Sequence, residues 1–248
     1  MKFTIEKYTS NYANSILVSL YNLNANSRGL IQRPNGFMII NAGYDGELFL
    51  MATGIIHSAR PARQGPDLVM NCELLDNGFD IGNAPISVNV GPGGTNQQLL
   101  KQALNLFQAN HIPSGALEPL PVFSYSKGYA YGGTVGGLLD GLLKPQNLRW
   151  QILDGQLRIF AAVGPTTQAP PILLSVDTGL IEIPSQETPI FSGSRPMYAA
   201  KSLLNPQLNP GRKVNIQSKF LKGIFEVYRI LHQGDTEEGD YVTNMEVW

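Results

Sequence analysis

Three histidines, one cysteine and a scatter of carboxylates are what this 248-residue chain offers to chemistry. His57, His111 and His232 stand apart, and none has a cysteine or a second histidine at metal-ligand spacing. His232, in Leu231-His232-Gln233-Gly234-Asp235, ends an alternating run and reads as a hydrogen-bonding partner within a turn. Cys72 lies in the apolar run Leu68-Val69-Met70-Asn71-Cys72, the setting of a buried structural thiol rather than a nucleophile. Asp235, Glu237, Glu238 and Asp240 gather in one turn, but without the alternate spacing, glycine and terminal Glu of a calcium loop. They read as a solvated turn. Asp154 and Asp177 sit in turn-like contexts. No Gly-x-Ser-x-Gly elbow occurs, and nothing points to a pair of carboxylates converging as glycoside hydrolysis requires.

Two glycine-dense stretches remain. GPGGT, Gly91 to Thr95, precedes a helix start and could face an anion. It lacks the lysine of a phosphate loop and the spacing of a dinucleotide fingerprint, so it reads as a turn delivering the capping Thr95. GYAYGGTVGG, Gly128 to Gly137, reads as tight packing where a helix begins. No catalytic, cofactor-binding or metal-ligating residue is assigned, and an enzyme is not the favoured reading.

Composition points the same way. Hydrophobic residues make up 43% of the chain, enough for a real core, while charged residues are only 15%, against about a quarter in ordinary domains. Such a surface suits either burial in a partner, since interface cores are poor in charge, or a neutral soluble protein. The net charge of −1 and the scattered basic residues argue against a nucleic-acid surface, which needs clustered Lys and Arg. A single cysteine excludes an intrachain disulfide and fits a reducing compartment. MKFTIEKYTSN has no signal-peptide core. No run of about 18 apolar residues is present to span a membrane as a helix.

The elements that would position these residues are mostly strands. Residues 1–75 read as β throughout, with turns every 8–12 residues. Phe3 and Ile5 mark a short strand and Ile16 to Leu23 a longer one. Arg33-Pro34-Asn35-Gly36 signals a tight hairpin into Phe37 to Asn41. Ala42 to Gly46 is a further turn. Glu47 to Ile56 carries Gly54, a mid-strand mark of a bulge or bend, and Pro66 to Leu75 is another strand. Between Gly78 and Asn147 the period changes. Thr95 and Gln98 form a capping box, followed by a helical face of Leu99, Leu100, Ala103, Leu106 and Phe107. A second helix starts near Thr134 with Val135, Leu138, Leu139, Leu142 and Leu143 on one face, closed by Pro145. Arg149 to Ile159 is a hairpin turned at Asp154-Gly155.

Pro165 to Pro171 is a connector. Ile172 to Val176 and Gly179 to Ile183 read as short strands, Ser185 to Pro196 as loop, and Met197 to Leu204 as a short helix or a strand. An antiparallel meander closes the chain. Val214, Ile216, Ser218 and Phe220 form one face, Phe225, Val227, Arg229 and Leu231 a second, and Tyr241, Thr243, Met245 and Val247 a third. Three strands need further strands to be stable, and the first β region is where they come from. The expected fold class is α+β, mainly β. The expected parts are a first β-barrel region at 1–77, an α/β insert at 78–160 and a second β-barrel region at 161–248.

Several of these stretches, taken in order from about Asn14 to Trp248, resemble bacteriophage tail and baseplate hub proteins. Asn41-Ala42-Gly43-Tyr44 with Leu48 to Ile56 resembles their N-terminal Gly-Tyr turn and the strand ending in Gly-x-Ile. Leu174 to Pro184 (LSVDTGLIEIP) resembles their Ser-x-x-Thr-Gly-Leu-Ile segment. Leu203 to Trp248 resembles their C-terminal barrel, with its Pro-Gly start and His-x-Gly-Asp-Thr turn. The resemblance implies two tail-tube-like antiparallel barrels with a small insert, in a non-enzymatic virion protein assembled in the host cytoplasm. It implies a homotrimer whose two barrels per chain present six-fold-like symmetry to a hexameric tail tube protein, with a trimeric central spike protein on the other side and other baseplate proteins around it. No cofactor, no specific nucleic-acid binding and no membrane insertion are implied. An appended lysozyme-like domain is not expected at this length. The equivalent hub of a phage-derived injection machine shares these features. A tail-associated cell-wall hydrolase and a carbohydrate-binding β module are the alternatives from other classes.

Overall fold

The computed structural model describes residues 1–9, 14–34, 36–75, 81–153, 155–161, 170–187 and 196–248. The fold is α+β and mainly β. Two compact units form: Met1–Asp76 joins Pro165–Trp248 in one, and Asn77–Gly164 makes the other.

The first unit begins with β1 (Lys2–Tyr8) and β2 (Ser15–Tyr21), whose alternating apolar residues bury Phe3, Ile5, Ile16 and Val18. No hairpin follows at Arg33 to Gly36. A helix, α1 (Ala25–Ile31), comes between β2 and that stretch, with the Asn24 carboxamide oxygen accepting from the Ser27 N–H at 2.8 Å. An asparagine cap of this kind satisfies a free helical donor. Asn35 lies outside the described residues. β3 (Phe37–Tyr44) therefore pairs not with β2 but with β4 (Glu47–Gln64), across a turn at Asp45-Gly46 where both residues have positive φ. β4 runs eighteen residues, through Pro61, before turning at Gly65-Pro66 into β5 (Asp67–Leu75). Its extra residues are Met51, opposite β3, and His57, opposite β5. Gly54 is not the bulge. It marks a close approach, because a Cβ there would lie 2.8 Å from the Leu75 carbonyl oxygen.

The second unit holds β6 (Pro85–Val90), α2 (Asn96–Ala109), β7 (Ser114–Leu117), β8 (Tyr129–Thr134), α3 (Val135–Leu143), β9 (Leu148–Leu153) and β10 (Gln156–Ala161). Both helices start where their caps place them. Gln98 Oε1 accepts from the Thr95 N–H at 3.1 Å, and Thr134 Oγ1 accepts from the Gly137 N–H at 3.1 Å. Pro145 falls in a 3₁₀ turn that ends at Asn147 with φ 55°. β9 and β10 pair as expected, Leu153 opposite Gln156; Asp154 of their turn lies outside the described residues. The unit is more β than its sequence suggests, since β6 pairs β8 and β7 runs parallel to β10. Leu99, Ala103, Phe107, Leu138, Leu139 and Trp150 share its core.

The chain then re-enters the first unit; most of the Pro165 to Pro171 connector lies outside the described residues. β11 (Ile172–Ser175) is parallel to β14 (Lys213–Gln217) and is followed by a 3₁₀ turn at Val176–Thr178. Gly179 to Ile183 is not a strand: Leu180 alone bridges to Ser202. β12 (Ser185–Glu187) begins the segment expected as loop, and 188–195 lie outside the described residues. β13 (Met197–Leu203) resolves Met197 to Leu204 as strand. β15 (Lys222–Asp235) and β16 (Tyr241–Val247) complete the meander. Phe220 lies beyond β14 and is exposed. In β15 the inward face slips by one residue. Val227 pairs Val247 and Arg229 pairs Glu246, so Tyr228 is extra. A one-residue shift exchanges the faces of a strand. Ile230 and His232 turn inward, and Arg229 and Leu231 turn outward.

Among the described residues the sheet of this unit has eleven strands, in the order β12-β13-β16-β15-β1-β2-β5-β4-β3, with β14 on β15 and β11 on β14. β15 is shared. Lys222 to Glu226 pairs β14, and Arg229 to Asp235 pairs β1. Two apolar cores lie on this sheet. One holds Phe3, Ile5, Ile16, Met51, Met70 and Leu74; the other holds Leu174, Val214, Ile216, Val227, Ile230 and Met245. Each half curls back on itself. In the first, the Tyr241 hydroxyl donates to the Gly43 carbonyl at 3.2 Å and accepts from the Gly43 N–H at 3.3 Å, tying β3 to β16. In the second, the 3₁₀ corner carries the chain from the β14 side to the β13 side, where the Ile181 N–H donates to the Lys201 carbonyl and the Leu203 N–H to the Gly179 carbonyl, both at 2.8 Å.

Candidate functional site

The histidines lie on separate elements. His57 is exposed on β4, and His111 is exposed with φ 62° beyond α2. His232 is 1% exposed in β15, and its Nδ1 lies 2.8 Å from Thr243 Oγ1. It serves no turn. Burial, the nearby Lys7 ammonium and, in opposition, a bond to the Leu208 carbonyl bring its pKa down to about 3, so the ring is neutral. Lys7 is itself 2% exposed and donates from Nζ to Asn209 Oδ1 at 3.0 Å. These groups make a polar seam inside the unit, out of reach of a substrate.

The remaining candidates hold no site either. Cys72 is buried, and burial pushes its thiol up. Gly91 to Gly94 forms a turn closed by a 2.9 Å bond from the Gly94 N–H to the Gly91 carbonyl, with Gly94 pressed against Val90. In the Gly128 to Gly137 stretch, Gly136 meets the Gly82 carbonyl and the Trp150 ring, where a Cβ would stand 2.8 and 3.0 Å away. Asp177 is exposed in the 3₁₀ turn. Glu237, Glu238 and Asp240 are exposed, and among the described residues no group of three potential ligands could hold a metal.

What the fold builds instead is surface. On its outer side, β13, β15 and β16 floor a groove of about 190 Å³ lined by Lys201, Arg229, Leu231, Asn244 and Glu246. Arg229 anchors it. Its Nε donates to Glu6 Oε1 at 2.8 Å, its Nη1 to Glu246 Oε1 at 2.5 Å, and Nη2 also contacts Glu6. The guanidinium lies over the Tyr8 ring. Burial opposes the charge of Glu6, yet bonds from the Tyr8 hydroxyl and Arg229 hold its carboxyl below the usual range. Lys201 pairs Glu182 at 3.1 Å. With every charge answered, the groove is a fixed polar relief. Sequence reasoning placed Arg229 on the inner face and missed this network, because the Tyr228 bulge brings Glu6, Arg229 and Glu246 to one side and leaves no local signature.

The same sheet carries exposed apolar side chains. Phe37 and Ile39 on β3 and Leu48, Phe49 and Leu50 on β4 are 43–65% exposed. At the other end of the sheet order, Val176, Ile183 and Leu203 are 80, 60 and 50% exposed. Among the described residues β3 pairs only β4, and β12 only β13. Apolar groups at unpaired strand edges invite pairing with another chain.

No known family matches this sequence, and no curated protein matches it. Solved structures do. The tail protein from Neisseria meningitidis MC58 superposes with a TM-score of 0.68 at 14% identity, covering 99% of this chain and 91% of that one. The 43 kDa tail protein of prophage MuSo2 from Shewanella oneidensis gives 0.66 at 12%, covering 100% and 93%. The chain has the fold of phage tail proteins. The same tail-protein fold matches the E. coli c3393 protein, with a TM-score of 0.67 at 9% identity over 100% of this chain and 72% of that one. That protein is described as a component of the type VI secretion system with structural similarity to the T4 bacteriophage tail proteins gp27 and gp5. Among the described residues no helix is long and apolar enough to cross a membrane.

Proposed function

We propose that this chain is a non-enzymatic structural component of a phage tail, a baseplate hub that joins the hexameric tail tube to the trimeric central spike. The observation that carries this reading is the tail-protein fold over essentially the whole chain, together with the apolar strand edges left unpaired among the described residues. The barrel regions 1–77 and 161–248 act as the two tube-like modules, and the insert 78–160 is an accessory body. Three copies in a closed ring present six such modules to the tube. A three-fold ring needs head-to-tail contact between unlike surfaces, and the two ends of the sheet supply them. The ring sits in the virion tail, with the tube protein on one side and the spike on the other.

The groove beside Arg229 has its charges mutually paired, as suits a docking surface better than a catalytic pocket. Locating the chain by electron microscopy in assembled tails tests the reading. Density between tube and spike supports it. A location along the tube or on a side fibre overturns it, and peptidoglycan hydrolysis by the isolated oligomer, lost on changing one carboxylate, would favour a cell-wall hydrolase instead.

A further inference from the structure

β4 outruns its partner. β3 pairs Glu47 to Ile55, so from His57 to Gln64 the strand has only β5 beside it among the described residues. This overhang of β4 is an edge arm, backed by β5, which itself pairs β2 from Val69 to Leu75, and Arg60 to Pro66 are all exposed. Its β4 side, His57 to Pro66, has no Asp or Glu, while the β5 side carries Asp67, which accepts from the Asn22 carboxamide at 2.7 Å, and Glu73 opposite Ser58; Arg60 and Arg63 hold no ion pair among the described residues. Their charge and Pro61 guard the edge against pairing with an identical edge. The guard does not repel an acidic surface.

One such surface belongs to this chain. The β15–β16 turn exposes Glu237, Glu238 and Asp240, again without an ion pair among the described residues; the Met1 ammonium donates to Thr236 Oγ1 at 2.6 Å, and Lys2 is paired opposite Asp235. The tip of the arm and the turn lie at the same end of the sheet. Asp235, Lys2, Ser19, Asn71 and Arg60 form one row across β15, β1, β2, β5 and β4. Four strand spacings separate them, roughly 19 Å along the sheet.

We infer that the arm docks on the β15–β16 turn of a second copy, Arg60 and Arg63 facing Glu237, Glu238 and Asp240. This rests on the proposed self-assembly and names a contact within it. The two surfaces differ, so each copy gives an arm and receives one, as a closed ring requires. The contact is electrostatic and exposed, so salt within a Debye length of about 10 Å at 0.1 M weakens it.

Sedimentation velocity and native mass spectrometry of the purified full chain test it. R60E/R63E and, separately, E237R/E238R are expected to weaken self-association about tenfold or more. The variant carrying all four changes, its charges exchanged, is expected to recover most of the wild-type association, which a damaged fold would not do. An oligomer of wild-type strength in both double variants overturns the contact and leaves the hub reading standing, as does failure of the four-fold variant to recover. A wild-type chain that stays monomeric at every concentration overturns both.

Discussion

His232 makes stability depend on pH in a way that can be isolated. The ring is held neutral inside the sheet by burial and by Lys7, with a folded-state pKa of about 3 against an ordinary 6.5. The unfolded chain binds this proton more readily than the folded one, so the stabilising contribution is present above 6.5 and is lost as pH falls toward 3. The gap corresponds to ~5 kcal/mol at most, at about 1.4 kcal/mol for each pH step, a large part of the 5–15 kcal/mol typical of folded domains. Carboxylates such as Glu6 add their own loss at low pH, so wild type must be compared with a variant. H232Q removes the titration and keeps a hydrogen-bonding side chain near Thr243. Urea unfolding at intervals from pH 7.5 to 4.5 should show the wild type losing stability by up to about 1.4 kcal/mol per pH step below 6.5 relative to the variant. Parallel curves for the two proteins would refute the buried, neutral assignment.

Other perturbations follow from named contacts. Y241F removes the hydroxyl bridging both polar groups of Gly43; a loss of about 1–2 kcal/mol and faster hydrogen exchange at Gly43 are expected, with unchanged exchange contradicting closure through this residue. N96A should destabilise the insert by about 2–3 kcal/mol in thermal unfolding, because fully buried Asn96 donates to the Pro121 carbonyl at 2.8 Å and accepts from the Phe123 N–H at 3.1 Å, and its removal leaves both groups unpaired. I216P, in a strand paired on both sides by β11 and β15, should cost about 3 kcal/mol or more and keep the chain out of complete tails; its incorporation would show that β14 is dispensable.

Much of the fold was legible because its periods are clean. Phe3/Ile5, Val214/Ile216 and Thr243/Met245/Val247 alternate against one core each, and the Thr95 and Thr134 caps start helices where the apolar period changes. The misses have physical reasons. Asn24 capping a seven-residue helix with no buried residue leaves no apolar period, and the turn-rich sequence after it imitated a hairpin. β6, β7 and β8 are short, and Gly132 and Gly133 dilute their pattern. The bulge at Tyr228 is invisible to a count of two, yet it decides that His232 is buried and Arg229 faces out. No catalytic constellation was assigned from sequence. The groove and the hairpin arm depend on register between distant strands, which no local spacing encodes.

The proposed assembly is a ring of three copies presenting six barrel-like modules. Electron microscopy of the purified oligomer, with class averages unconstrained by symmetry, tests it most directly. A three-fold ring with six peripheral lobes of similar size around an open centre is the predicted result. A two-fold dimer, an open filament or a persistent monomer would contradict it.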